Sequence, residues 1–258
     1  MTNVKWEKLW PYRAVVAVDA RDFSSLSSSG MQQVNQDIQK LLADALSAVG
    51  LSSSWRERHF GQHTGDGYVA GVDPEYLPAL VGCFPRSLYE LLRNRPRPDG
   101  RPLQLRVSVH VGPLPDSGIG DPMVQTHRLL DEDRLRQLLS RATPELTPMA
   151  MIVSERAYED VFASGQPTGG VGPEEFARSL VRVKAFEKPA WVHIPGLDWK
   201  LADPNLLLSE PPSPEQAEQE EAPRHAHEHL PPGVITFNSK GPNATQAYRI
   251  DKHNGGQW

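Results

Sequence analysis

Cysteine is nearly absent: Cys83 is the only one in 258 residues. No intrachain disulfide can form and no thiolate cluster can hold a metal. Cys83 itself lies in an apolar helical stretch and reads as a core residue. Long apolar runs are missing too, since none reaches the roughly 18–20 residues that a bilayer-spanning helix needs. Met1 to Trp10 lacks the apolar core of a secretory leader. These absences point to a cytoplasmic chain with no membrane partner. There is no excess of positive charge either. Lys and Arg number 27 against 32 Asp and Glu, a net charge of -5, which gives no support to a role in coating nucleic acid. Apolar residues are sparse, at 38% with a mean hydropathy of -0.48, as expected of a folded part joined to a polar tail. The length suffices to bury one large core or two small ones.

The informative stretch is Thr64-Gly65-Asp66-Gly67-Tyr68-Val69-Ala70. Gly-Asp-Gly suits a hairpin turn, because both residue types tolerate the backbone angles such turns demand. Strand-like flanks on both sides place Asp66 at the tip of a β-hairpin. Taken alone, Asp66 is either a turn residue or an exposed functional acid. A second acid lies upstream. Asp19 ends the apolar run Ala14-Val15-Val16-Ala17-Val18 and is followed by Ala20-Arg21-Asp22-Phe23-Ser24. A strand that ends in an acid and opens into a small-residue loop before a helix suits a phosphate-and-metal site.

The periodicities predict a strand over Arg13 to Ala20, buried on both faces. A helix follows over Met31 to Val49, stopped by Gly50. Trp55 to Thr64 and Tyr68 to Val72 form the arms of the hairpin. A second helix runs from Glu75 to Leu92, with Pro78 and Pro85 expected to bend or break it. Leu103 to Val111 is an alternating strand, with Leu103, Leu105, Val107, Val109 and Val111 on one face and Gln104, Arg106, Ser108 and His110 on the other. A helix spans Pro122 to Ala142, then a strand Met149 to Val153 and a helix Glu155 to Phe162. Strands Leu180 to Phe186 and Ala190 to Ile194 are joined through Glu187-Lys188-Pro189. The fold class is therefore α+β: a ferredoxin-like βαββαβ core, with helices on one face of a mainly antiparallel sheet and an extra C-terminal hairpin. In that arrangement Asp19 and Asp66 end neighbouring strands at one sheet edge, within reach of one pair of divalent ions.

These residues resemble a known family, the class III nucleotidyl cyclases. Asp19-Ala20-Arg21-Asp22-Phe23-Ser24 is similar to the strand-end metal motif of that family, and Thr64-Gly65-Asp66-Gly67-Tyr68-Val69-Ala70 to its second metal motif. Arg106-Val107-Ser108-Val109-His110-Val111-Gly112-Pro113 resembles the strand that follows. Thr126-His127-Arg128-Leu129-Leu130 resembles the helix that carries the phosphate-binding arginine, and Val183 to Val192 the closing hairpin. The resemblance covers roughly Arg13 to Gly196, in order. It implies an enzyme that converts a nucleoside triphosphate to a 3′,5′-cyclic mononucleotide and pyrophosphate. Asp19, Asp66 and the carbonyl of Ala20 would hold two Mg²⁺ or Mn²⁺ ions, and Arg128 would be the catalytic arginine. The family also implies a homodimer with shared sites.

The chain departs from the family where the base and the transition state are read. Gln62 stands where the purine-reading lysine belongs, and Val124, with Gln125 beside it, stands where an asparagine belongs. The second base-reading position falls near Asp116 or Ser117. Gln62 and Ser117 are thus the candidate substrate-binding residues. Bacterial antiphage cyclases that make cyclic UMP or cyclic CMP have altered base pockets on the same fold, and this chain is similar to them in that respect. A second reading is a catalytically degenerate cyclase-fold adaptor that acts on an effector through its C-terminal tail.

The expected domain covers 1–200. Beyond it, 201–233 is rich in Pro, Glu and His and reads as a disordered linker, with His225, His227 and His229 either in a solvated polar run or, if the segment is extended, at a spacing that could bind a metal. The tail 234–258 is rich in Asn, Gln and Gly alternating with β-branched and aromatic residues. It reads as a disordered tail or as a short amyloid-type signalling motif for an effector protein.

Overall fold

The computed structural model describes residues 8–95, 102–199 and 202. Residues 96–101, most of the expected 201–233 linker and the 234–258 tail lie outside the described residues. In chain order the elements are β1 (Tyr12–Ala20), α1 (Ser28–Ala48), α2 (Ser52–Arg56), β2 (Phe60–His63), β3 (Gly67–Val72), α3 (Leu77–Val81), α4 (Cys83–Asn94), β4 (Leu105–Pro113), α5 (Asp121–Leu130), α6 (Asp133–Arg141), β5 (Met149–Ser154), α7 (Glu155–Phe162), β6 (Phe176–Val183) and β7 (Phe186–His193).

One seven-stranded sheet has the order β2-β3-β1-β4-β5-β7-β6. Its first four strands pair antiparallel in the 2-3-1-4 order of a ferredoxin-like core. β5 then joins β4 in parallel, and the β6–β7 hairpin extends the far edge. The fold is mixed α+β on a single sheet.

β1 lies at the centre because its apolar run fills both faces. Ala14, Val16, Val18 and Ala20 face the cluster beneath α1, α3, α4 and α7. Val15 and Ala17 face the opposite side, where Met123 and Leu130 of α5 cover them. α1 begins at Ser27, whose hydroxyl accepts from the Gly30 amide at 3.2 Å. Ile38, Leu41, Leu42, Ala45 and Leu46 form its buried stripe. It ends where Gly50 takes φ 81° and the Leu51 amide bonds back to the Leu46 carbonyl at 2.8 Å. That left-handed residue is the reason for glycine at the stop.

Five details differ from the sequence expectations. Trp55 to Arg58 is not a hairpin arm, because residues from Ser52 to Arg56 form a short helix. Its Trp55 ring packs 5.8 Å from Tyr68, under the Arg58 guanidinium at 4.8 Å, and this tertiary packing overrides the local strand pattern. The helix over Glu75 to Leu92 breaks at Gly82 rather than at a proline. Pro78 and Pro85 fall in the first turns of α3 and α4, where no amide donor is needed. The helix over Pro122 to Ala142 is two helices. The buried Glu132 caps α6 and also accepts from the Arg182 amide of β6 at 3.1 Å, which fixes the break. The last hairpin turns at Lys184-Ala185, with Lys184 at φ 54°, and Glu187-Lys188-Pro189 lie inside β7. Pro189 lies beyond the last β5 pairing, at Ser154↔Ala190, so its missing amide leaves β5 intact. Finally, the helices occupy both faces: α5 and α6 pack on the side opposite α1.

His110 of β4 is 6% exposed and its Nδ1 has no hydrogen-bond partner. Burial, with help from Lys188 and Arg156, pushes its pKa from 6.5 down to about 4. A depressed pKa means that the fold holds the neutral ring. Stability present above pH 6.5 is therefore lost as pH falls through about 4, to a total of about 3 kcal/mol. His110→Gln is expected to flatten that loss. Urea unfolding of both proteins at pH 7 and pH 4.5 checks it, and parallel losses would count against a buried neutral histidine.

Candidate active site

Asp19 is the penultimate residue of β1 and lies opposite Gly67 of β3 and Arg106 of β4. Cross-strand neighbours share a face of the sheet. A Cβ at position 67 would collide with the Val18 carbonyl and sit 2.9 Å from the Asp19 Cα. Gly67 therefore lets the β2–β3 hairpin return flat against the end of β1. The turn closes through the Thr64 amide on the Gly67 carbonyl at 3.1 Å, with Gly65 at φ 91°. Asp66 sits at its tip, half-buried, and its carbonyl accepts from the Ala20 amide at 2.9 Å. From α1, Asn35 donates to the Gly65 carbonyl at 3.1 Å and Gln39 bonds His63 at 2.7 Å. The tip that carries Asp66 is braced by a helix on one side and by β1 on the other.

The structure thus brings Asp19, Ala20 and Asp66 to one end of the sheet. Beside them opens a cavity of about 400 Å³ lined by Ala20, Asp22, Phe23, Asp66, Arg106 and Arg136, among others. Burial pushes the Asp19 carboxyl up from 3.8 to about 6. The neighbouring Arg106 opposes this rise, and the charge of Asp66 adds to it. His127 of α5 belongs to the same neighbourhood. Burial lowers its pKa against the pull of Asp131 and Asp66.

The dominant contact of the site is one that the linear sequence does not announce. Arg106 grips the Asp19 carboxylate with both prongs, Nε on Oδ1 at 2.7 Å and Nη2 on Oδ2 at 2.6 Å. Its Nη1 donates to the Leu130 carbonyl at the end of α5, at 3.2 Å. The two side chains are only 12% and 11% exposed. The signal was available in the alternation of β4, which puts a charged side chain on an otherwise buried face.

Carboxylate and carbonyl oxygens are the donors that Mg²⁺ and Mn²⁺ prefer, and such ions take their remaining ligands from water and substrate phosphates. Asp19, Asp66 and Ala20 fit that chemistry. No cluster of three or more His, Cys, Asp or Glu ligands gathers among the described residues, so a cage built from protein ligands alone does not fit.

The other predicted residues are placed elsewhere. Gln62 and Ser117 are brought together: the Gln62 amide donates to the Ser117 carbonyl at 3.4 Å, with both side chains exposed. The loop carrying Ser117 is tethered by Arg13, which pairs with Asp116 at 3.0 Å and with Asp73 at 3.3 Å. Arg128 is half-buried on α5, does not line the Asp66 cavity, and makes no side-chain hydrogen bond or ion pair with a described residue. Val124 is 53% exposed on the same helix. Gln125 accepts from Lys188 at 2.9 Å.

No family model matches the chain, and no curated protein matches it. Solved structures similar to it include the dimeric guanylyl cyclase domain of the RhoGC fusion protein from the aquatic fungus Blastocladiella emersonii. That domain is 15% identical at a TM-score of 0.44, over 72% of this chain and 95% of that one. A bacterial light-regulated adenylyl cyclase is 14% identical at a TM-score of 0.45, over 78% and 96%. The adenylyl cyclase CyaB from P. aeruginosa is 13% identical at 0.41, over 71% and 92%.

Proposed function

We propose that this chain is a class III-type nucleotide cyclase that works as a homodimer and makes a signal nucleotide. The observation that carries the reading is the convergence of Asp19 and Asp66, with 46 residues between them in the chain, beside an open cavity. In the proposed reaction the ribose 3′-hydroxyl of a nucleoside triphosphate gives up its proton to solvent water and its oxygen attacks the α-phosphorus. The bond from that phosphorus to the β-bridging oxygen breaks, and pyrophosphate leaves with the electron pair. Asp19, Asp66 and the Ala20 carbonyl would hold the ions. Two bound divalent cations supply a lowered pKa for the 3′-hydroxyl and charge neutralisation on the pyrophosphate.

Arg128 has no intramolecular partner among the described residues to compete for it. Its planar fork suits the phosphate oxygens of a site completed by a second copy. The Gln62–Ser117 pair would read the base. An amide both donates and accepts, whereas an ammonium only donates. We expect UTP or CTP to be turned over better than ATP or GTP, as in the pyrimidine-specific antiphage subgroup. Gln62→Lys is then expected to change the ratio of rates between nucleotides, measured as kcat/KM on all four. An equal loss on all four would leave Gln62 with a structural role only.

A second reading, a silent adaptor acting through its tail, is favoured by one observation. Both oxygens of Asp19 are already satisfied by Arg106. The product distinguishes the two readings: a cyclic mononucleotide identified by mass supports the enzyme.

A further inference from the structure

We infer that Arg106 is a built-in competitor of the metal ion at Asp19, so that metal entry is an exchange of one cation for another. The inference rests on the metal-site reading of Asp19 and Asp66. A carboxylate presents two oxygens, and a bidentate guanidinium matches both with parallel bonds. Here that match is complete, at 2.7 and 2.6 Å, in a nearly buried pair. Each oxygen keeps a second lone pair, but an ion that takes Asp19 as a ligand meets the guanidinium charge across one nearly buried carboxylate, so the two cations compete for it.

The structure provides for a displacement of the guanidinium. Nη1 of Arg106 is anchored independently on the Leu130 carbonyl at 3.2 Å. This carbonyl belongs to the last turn of α5, the end of a helix that favours a cation. Arg106 also borders the cavity of about 400 Å³ that Asp66 lines. The guanidinium can give up Asp19, keep the Leu130 contact and turn its freed edge toward open space. Its charge is not stranded in the core, which would cost several kcal/mol.

Arg136 gives the internal comparison. It lines the same cavity, but it pairs with Asp131 at 2.8 Å and Asp133 at 3.5 Å, and no bond joins it to Asp19. If only the general positive field of the cavity opposed metal, the two arginines would count alike. If exchange at Asp19 sets the affinity, Arg106 counts far more.

The test is Mn²⁺ binding to the full chain without nucleotide, read by electron paramagnetic resonance of free Mn²⁺ at pH 8. Arg106→Gln is expected to bind Mn²⁺ at least ~10-fold more tightly than the wild type, equivalent to about 1.4 kcal/mol. Arg136→Gln is expected to gain less than about 3-fold. Adding Asp19→Asn to Arg106→Gln is expected to erase the gain. Unchanged or weaker binding in Arg106→Gln overturns the inference, as does an equal gain in Arg136→Gln. Arg106→Lys covers the case in which the glutamine variant fails to fold. A lysine keeps the charge but cannot span both oxygens, so a smaller gain is expected, and no gain overturns the inference. Failure of the cyclase reading would look different: no cyclic product from any variant, with the gain in Mn²⁺ affinity still present.

Discussion

Asp66→Ala is expected to abolish cyclic-nucleotide formation, by roughly 10²–10⁴-fold, because an ion held in a two-metal site contributes several kcal/mol to the transition state. The fold should survive. The Asp66 side chain is half-exposed, and the hydrogen bond that ties this position to β1 uses its backbone carbonyl, not its carboxylate. The cost of losing an acid from a hairpin tip is about 1 kcal/mol or less. Product assays at saturating Mn²⁺, with thermal unfolding alongside, separate the two effects. Asp66→Asn keeps the turn chemistry and is expected to be as inactive as the alanine variant. Full activity in either folded variant would remove Asp66 from the metal site.

The second large effect is complementation between two dead proteins. On the proposed shared-site reading, Asp66→Ala would lack the metal half of the site and Arg128→Ala the arginine half. In a mixed dimer one of the two proposed shared sites would keep both groups and the other neither. Random exchange makes half of the dimers mixed, so about a quarter of wild-type activity should return. Asp66 is the better metal-half partner for this experiment than Asp19. Asp19→Ala would leave the Arg106 guanidinium nearly buried without its carboxylate, and breaking one side of such a pair costs about 3–5 kcal/mol. The position of Arg128 motivates the experiment: within one copy it does not line the Asp66 cavity. Recovery after mixing and subunit exchange supports a shared site, and none at all would mean that Arg128 acts elsewhere or not at all.

Much of this arrangement was legible because it depends on local pattern. The apolar run of β1, the stripe of α1 from Ile38 to Leu46 and the Gly-Asp-Gly turn each state their own geometry. The parts that were not legible depend on contacts between distant residues. Trp55 is helical because it packs on Tyr68. The break between α5 and α6 is held by Glu132 reaching the Arg182 amide, 50 residues away. Lys184 takes a left-handed turn that its residue type does not advertise, while Glu187-Lys188-Pro189, which looks like a turn, is strand. The Asp19–Arg106 pair spans 87 positions. It follows only from the register of β1 on β4, since a slip of one residue would turn Arg106 to the opposite face. Asp19 and Asp66 were therefore readable, and the guanidinium that pairs with Asp19 was not.

The central claim is tested most directly by incubating the purified chain with ATP, GTP, UTP and CTP separately, in the presence of Mn²⁺, and identifying products by mass spectrometry. A nucleotide cyclase will give a 3′,5′-cyclic mononucleotide with equimolar pyrophosphate from at least one of the four, absent in Asp66→Ala. No cyclic product from any triphosphate, in a folded protein shown to bind Mn²⁺, would contradict the claim.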